Sequence, residues 1–168
     1  MSNFLKYCKS SNSEIKIFYN VLSENERNKV LTQFKPYLCN IENCPGLQSY
    51  PNLHIICEKN NSFFNPFNKI KKRLKINNAI EKSWINYTDE ELSYTSWHNH
   101  LNASYEKTCV YMLENPEKNG TWFNIDGQIY KLKAPTNSMI LFSNHLIHTV
   151  PDDIKKPRYS LAIDFMER

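Results

Sequence analysis

The sequence predicts a mostly β fold, a jelly-roll or double-stranded β-helix core backed by two or three α-helices. Three observations carry that expectation. From Ile80 onward, short strand-like runs follow one another at intervals of roughly ten residues. Before Ile80, two stretches show helical rather than alternating periodicity. Asp126-Gly127 separates two of the strand-like runs and is a two-residue hairpin signal, because both turn positions need positive φ. Helices first and many short antiparallel strands after them give a layered packing in which the helices back one sheet.

Taken in order, Ile15 to Tyr19 alternates as a strand. The stretch "NVLSENERNKVLTQF" is a helix: Ser23 and Glu26 have capping-box spacing, and apolar Val30, Leu31 and Phe34 follow. After a loop bearing Pro and Cys, Leu53 to Glu58 reads as a short strand. "FFNPFNKIKKRLK" reads as a second helix, with Phe63, Phe67, Ile70 and Leu74 on one face and Pro66 near its first turn. Its Lys69, Lys71, Lys72, Arg73 and Lys75 read as the solvated back of an amphipathic helix rather than a nucleic-acid patch. The later runs are "IEKSWINYT", "SYTSWHNH", "YEKTCVYML", "GTWFNI", "QIYKLK", "SMILFS" and "YSLAIDFM". With no internal repeat or low-complexity segment, one domain is expected over 1–168. Residues 1–78 would supply N-terminal strands and supporting helices, and 79–168 the β core.

Composition sets the outer bounds. A chain of 168 residues, 40% hydrophobic and 13% aromatic, can bury a sizeable core. The net charge of +4 permits an anionic ligand but does not demand nucleic acid, which is not an expected partner. Cys8, Cys39, Cys44, Cys57 and Cys109 are odd in number, lack paired zinc spacing and follow no secretory signal, so a reducing, cytoplasmic setting is expected. No apolar run approaches the roughly 20 residues of a membrane span. A monomer or dimer is expected.

The chemistry concentrates in three short motifs. In "SWHNH", His98 and His100 stand at i and i+2, so on an extended segment both rings point to one side. "LFSNHLIHTVPDD" supplies His148 at the end of another strand, and "KPRYSLAIDF" places Arg158 and Ser160 again at i and i+2. Such a set suits a non-haem Fe(II) site with a dicarboxylate co-substrate. Three protein ligands hold one face of the ion and leave positions open on the other. A guanidinium pairs with a distal carboxylate through a fork of charge-assisted hydrogen bonds, and a hydroxyl adds a donor. Singly these motifs are weak; their order and spacing carry the reading. His145 reads as a packing residue and His54 as a structural one.

In these motifs the chain resembles the Fe(II)/2-oxoglutarate-dependent oxygenases. Its nearest likeness is to the oxygenases common in bacteriophages, with prolyl 4-hydroxylase-type enzymes more distant. The matching text is "WHNH" with "TCVYML", "MILFSNHLIHTV", "RYSLAIDF" and, near the start, "FYNVLSENERNKVL". Between Lys35 and Asn78 the match is one of general character only. The resemblance implies Fe(II) held by His98, His100 and His148. It implies 2-oxoglutarate chelating the metal and resting its far carboxylate on Arg158 and Ser160, with Tyr111 and Met112 beside it. Dioxygen would be the other co-substrate. A C–H bond of a peptidyl or small-molecule substrate would be hydroxylated with release of succinate and CO2, in the host cytoplasm if the chain is phage-encoded.

Two departures from the family pattern stand out. A carboxylate is usual where His100 stands, so His100 replaces it, or a carboxylate arrives from elsewhere (Asp126 or Glu106), or the position is left to water or an anion. A tyrosine helps bind 2-oxoglutarate near the position of Met112 in prolyl hydroxylase-type enzymes, and here it is displaced by one residue. Thr108, Val110 and Met112 should share a strand face opposite Cys109 and Tyr111, so Tyr87, Tyr94 and Tyr105 stay open as sources of that hydroxyl. Two rival readings remain: a three-histidine cupin dioxygenase without 2-oxoglutarate, and a non-catalytic jelly-roll module with structural zinc, which normally takes four ligands.

Overall fold

The computed structural model describes residues 3–5, 15–42, 44, 46–92, 96–100 and 105–166, with backbone alone at 3–5 and 105. Among them are ten strands and three α-helices. The N-terminal part runs β1 (Asn3–Leu5), β2 (Ile15–Tyr19), α1 (Glu24–Phe34), β3 (Leu47–Gln48), α2 (Leu53–Lys59) and α3 (Phe67–Leu74). The remainder is β4 (Ile80–Thr88), β5 (Tyr105–Glu114), β6 (Asn119–Ile125), β7 (Gln128–Lys133), β8 (Ser138–Ser143), β9 (Ile147–Thr149) and β10 (Arg158–Met166). A major sheet has the order β1-β2-β8-β5-β10-β4-β3 and a minor one the order β7-β6-β9. Every named pairing is antiparallel. This is a mostly β, double-stranded β-helix architecture with helices on one side. No helix among the described residues is long and apolar enough to cross a membrane.

Strand alternation divides the interior into two cores. Odd-numbered side chains of the major sheet (Ile85, Cys109, Tyr111, Leu113, Met139, Leu141, Leu161, Ile163 and Phe165) pack with Phe34 of α1, Leu53 of α2 and Ile70 of α3. Met112, Ile140 and Phe142, of even number, pack with Ile15 and Ile17 of β2 and with Phe123 and Ile125 of the minor sheet. The buried polar residues Thr108, Ser138, Arg158, Ser160 and Asp164 share that even parity. They therefore face the space between the sheets. Burial of this extent is what sets the strand register, since truncating one such core side chain costs about 2–5 kcal/mol.

The capping box forms as its spacing implies: Ser23 Oγ accepts from the Glu26 N–H at 3.3 Å, and Glu26 Oε2 accepts from the Ser23 N–H at 2.9 Å. Glu26 also pairs with Lys69 of α3, and that ammonium, with the Ser23 N–H, pulls its carboxyl down to about 2. The basic face of α3 is thus partly spent on the fold, Arg73 donating to the Tyr19 carbonyl at 3.1 Å. At the Asp126-Gly127 hairpin both residues have positive φ, 53° and 80°. Gly46 (φ 74°) lets the chain pass close to β4, where a Cβ would lie 1.9 Å from the Tyr87 carbonyl oxygen.

Four expectations are corrected. Leu53 to Glu58 is helical: Leu53, His54 and Cys57 are buried while Ile55 is exposed, and Ser83 Oγ of β4 takes the His54 N–H at 2.8 Å. So short an apolar run carries both periods, and tertiary contacts decide between them. α3 begins only at Phe67, leaving Phe63 in the preceding loop. His148 does not end β8; the chain leaves that strand at Ser143, turns, and enters the other sheet as β9. In the run "SYTSWHNH", residues 93–95 lie outside the described residues, and the rest makes one bridge, His98 to His148, rather than a strand.

Asn137 ties the helical layer to the β core. Its Oδ1 accepts from the N–H groups of Val21 and Leu22, each at 3.1 Å, and from the Tyr111 hydroxyl at 2.7 Å. Its Nδ2 donates to the Leu22 carbonyl at 2.8 Å, from a left-handed backbone at φ 64°. Asn137→Ala strips four hydrogen bonds and leaves a buried hydroxyl unpaired, so a loss on the order of 3 kcal/mol is expected in urea unfolding. A loss below about 1 kcal/mol would show that the four bonds do not act together.

Candidate metal centre

Three imidazoles meet where the segment 96–100 lies against β9. His98 and His148 exchange backbone hydrogen bonds at 3.0 and 2.9 Å, and the His100 N–H donates to the Asn144 carbonyl at 2.9 Å. This ladder fixes the three Cα positions. One ligand atom from each ring lies within 4.8 Å of the others, and ring centroids are 4.4 to 5.3 Å apart. His148 is buried against Phe142, centroids 4.7 Å apart; His98 lies at the exposed rim.

The ring orientations are held from behind. His98 Nδ1 lies 2.9 Å from the Ser96 carbonyl oxygen, and His148 Nδ1 lies 2.9 Å from that of Leu146. Only an N–H satisfies a carbonyl, so in both rings Nδ1 carries the proton and Nε2 presents a lone pair. His100 Nδ1 instead faces Thr108 Oγ1 and Asp164 Oδ1, each at 3.3 Å. Burial, then the proximity of His98, pushes the His148 pKa down to about 3; His98 is lowered too, first by loss of solvent. Three imidazoles on one side with open space on the other suit a divalent cation such as Fe(II) that keeps free positions. A closed zinc site would want a fourth ligand, and the cluster found among the described residues has three.

On the inner face of the major sheet sits a cation with no counter-ion among the described residues. Arg158 is 2% exposed, its Nη2 lies 3.4 Å from Met112 Sδ, and its Nε has no partner among the described residues. Burial alone draws its pKa down to about 10. Ser160 stands opposite Met112, and Thr88, whose buried Oγ1 also lacks a partner, stands opposite Arg158. These unsatisfied groups fit an anion with several acceptor atoms. A cavity of about 330 Å³ adjoins His98 and His148, lined also by Gln48, Trp84, Asn86 and Thr121.

Of the residues singled out in the sequence, His98, His100 and His148 come together, and Met112 touches Arg158. Tyr111 does not join them. It occupies the helix-facing core with its hydroxyl on Asn137. Tyr87 is bonded to Asp89 at 2.6 Å; Tyr94 and the side chain of Tyr105 lie outside the described residues. His145 is exposed rather than packed, and is not in the cluster. His54 is structural, its Nδ1 2.9 Å from Ser83 Oγ. Asp126 and Glu106 are exposed; the carboxylate that reaches the trio is Asp164. Cys39 and Cys44 are free thiols, and Cys8 lies outside the described residues. Sequence reasoning missed Asp164 and Thr88. Extending the i, i+2 rule from Arg158 and Ser160 by two more steps reaches Asp164.

No family model and no curated protein matches the sequence. Solved structures do. A prolyl-4-hydroxylase from Pseudomonas putida matches at TM-score 0.62 and 13% identity, over 92% of each chain. An oxidoreductase of the 2OG-Fe(II) oxygenase family from Burkholderia pseudomallei matches at 0.66 and 12%, over 92% of this chain and 84% of that one. HygX from Streptomyces hygroscopicus, with nickel and 2-oxoglutarate bound, matches at 0.66 and 9%, over 90% and 82%. The chain has the fold of the 2-oxoglutarate/Fe(II) oxygenases. The phage-type likeness rests on the sequence alone.

An unpaired buried guanidinium is a stability liability, and a hydrophobe of similar length should remove it. Arg158→Met is expected to raise the ligand-free protein's stability by about 1–3 kcal/mol in thermal or urea unfolding. An unchanged or lower stability would mean that Arg158 is already compensated within the fold.

Proposed function

We propose that this protein is an Fe(II)- and 2-oxoglutarate-dependent oxygenase that hydroxylates a C–H bond of a peptidyl or small-molecule substrate. The observation that carries this reading is the conjunction of three converging imidazoles with a buried guanidinium, facing the space between the sheets, whose Nε has no hydrogen-bond partner among the described residues. When bound, Fe(II) with 2-oxoglutarate and dioxygen supplies the oxidation of the substrate, with succinate and CO2 as co-products.

The chain's own contribution is placement and exclusion of water. His98, His100 and His148 would hold the metal through their Nε2 lone pairs. Arg158, with the hydroxyls of Ser160 and Thr88, takes the far carboxylate of 2-oxoglutarate; Met112 walls that pocket. Phe123 and Phe142 close the space behind His148. The substrate enters through the cavity beside His98 and His148, where Gln48 and Asn86 offer carboxamides and Trp84 an aromatic surface. Apart from the two histidines, no imidazole, ammonium, guanidinium or carboxylate lines it among the described residues, which favours a neutral, hydrogen-bonding portion of substrate at the reacting end.

Two measurements test this. His148→Ala is expected to abolish tight Fe(II) binding in anaerobic titration, because His98 and His100 alone do not complete a facial site, whereas His145→Ala should bind like the parent. The reverse result would move the centre to the other histidine. Arg158→Ala should weaken 2-oxoglutarate binding to the metal-loaded protein by about 3 kcal/mol, on the order of 100-fold. Arg158→Lys keeps the charge but loses the fork and should recover part of it. Equal affinity across all three removes the co-substrate and brings forward a three-histidine dioxygenase that binds substrate directly.

A further inference from the structure

We propose that Asp164 is the carboxylate of this centre, acting from behind His100: it orients that ring through Nδ1 and supplies the metal site with negative charge at one remove. The inference rests on the three-imidazole reading above and extends it to a positioning residue.

The three rings are not held alike. His98 and His148 lean on neutral carbonyls two residues before them in the chain. His100 alone leans on a carboxylate, and that carboxylate arrives from 64 positions away in the sequence. Asp164 pairs directly with Thr108 in the sheet register, and the Thr108 hydroxyl donates to Asp164 Oδ1 at 2.7 Å. A hydroxyl has one proton. Since Thr108 gives its proton to Asp164, it has none for His100, so Nδ1 of His100 must carry its own proton and point it at the Thr108–Asp164 pair. The Nε2 lone pair is then fixed toward His98 and His148. Without Asp164 the Thr108 hydroxyl could turn and donate to Nδ1, which would put the proton on Nε2 and remove the ligand.

Charge points the same way. Asp164 is 1% exposed, and its Oδ2 has no hydrogen-bond partner among the described residues. Burying a carboxylate so incompletely satisfied is costly for a fold and is usual where a cation is held nearby. An imidazole that ligates a metal does so as a neutral donor, so a divalent cation there would find no negative ligand among the three rings. A carboxylate hydrogen-bonded to a ligating imidazole raises the donor strength of its far nitrogen, and removing such a partner typically lowers metal affinity 10- to 100-fold.

The test uses Co(II), an air-stable stand-in for Fe(II), with the full-length protein. Asp164→Asn keeps the shape of the side chain and is expected to weaken Co(II) binding about tenfold or more, with the urea midpoint showing that the variant is folded. Thr108→Val, which removes the hydroxyl that holds Asp164, should give part of the same loss. The discriminating background is His100→Asp, where a carboxylate meets the metal directly: there Asp164→Asn should cause no loss, because its partner imidazole is gone. Equal Co(II) affinity of parent and Asp164→Asn overturns the proposal, as does an equal loss in both backgrounds, which marks a general structural role. A parent that binds no Co(II) overturns instead the metal reading on which the proposal stands.

Discussion

The two-residue alternation of β10 and its neighbours is the constraint on which the rest of the structure depends. On the odd face of this sheet lie the residues that seat the helices, and on the even face lie Thr108, Met112, Arg158, Ser160 and Asp164. A one-residue slip would turn a guanidinium and a carboxylate into the helical core and push leucines into the polar cavity. The helices therefore do more than cover a surface. By burying Leu161, Ile163 and Phe165 they fix the parity of the strand and so aim its polar side chains at the cavity.

That arrangement holds two buried charges on one strand without letting them pair. Arg158 and Asp164 share a face but stand six residues apart, about 20 Å along an extended strand. Each keeps an unsatisfied atom, Nε in one case and Oδ2 in the other. A fold selected for stability alone would neutralise both. Here the two apolar cores carry that cost, and the strand remains polarised, with a guanidinium at one end and a carboxylate near the other.

Much of this was legible in the sequence where the signal is local. The Ser23/Glu26 cap, the Asp126-Gly127 turn and the i, i+2 histidines are each set by a few neighbouring residues, and the structure has them as the spacing implies. What failed depended on distant partners. "LHIIC" folds as a helix because Ser83 and the core accept it so. His148 sits in its own strand because β6 pairs with it within the minor sheet. The alternation of β5 already placed Tyr111 opposite Met112, and resemblance alone put that tyrosine beside the co-substrate; in the structure parity decides. Asp164 escaped because a single acidic residue in an apolar strand shows its purpose only once Thr108 and His100 stand beside it.

The sheet order has a consequence for how the protein comes into being. β4 and β5 are neighbours in sequence but not in space; β10 lies between them and pairs with both. A ribosome delivers β10 long after the other two. Until then β4 and β5 each wait with an open hydrogen-bonding edge, a state that favours slow folding and intermolecular pairing. The same delay has a protective side. Arg158 and Asp164 arrive on that strand, so a nascent chain exposing its histidines still lacks the groups that complete the cavity, and the oxidative chemistry proposed for it has no assembled home until synthesis has passed the keystone strand.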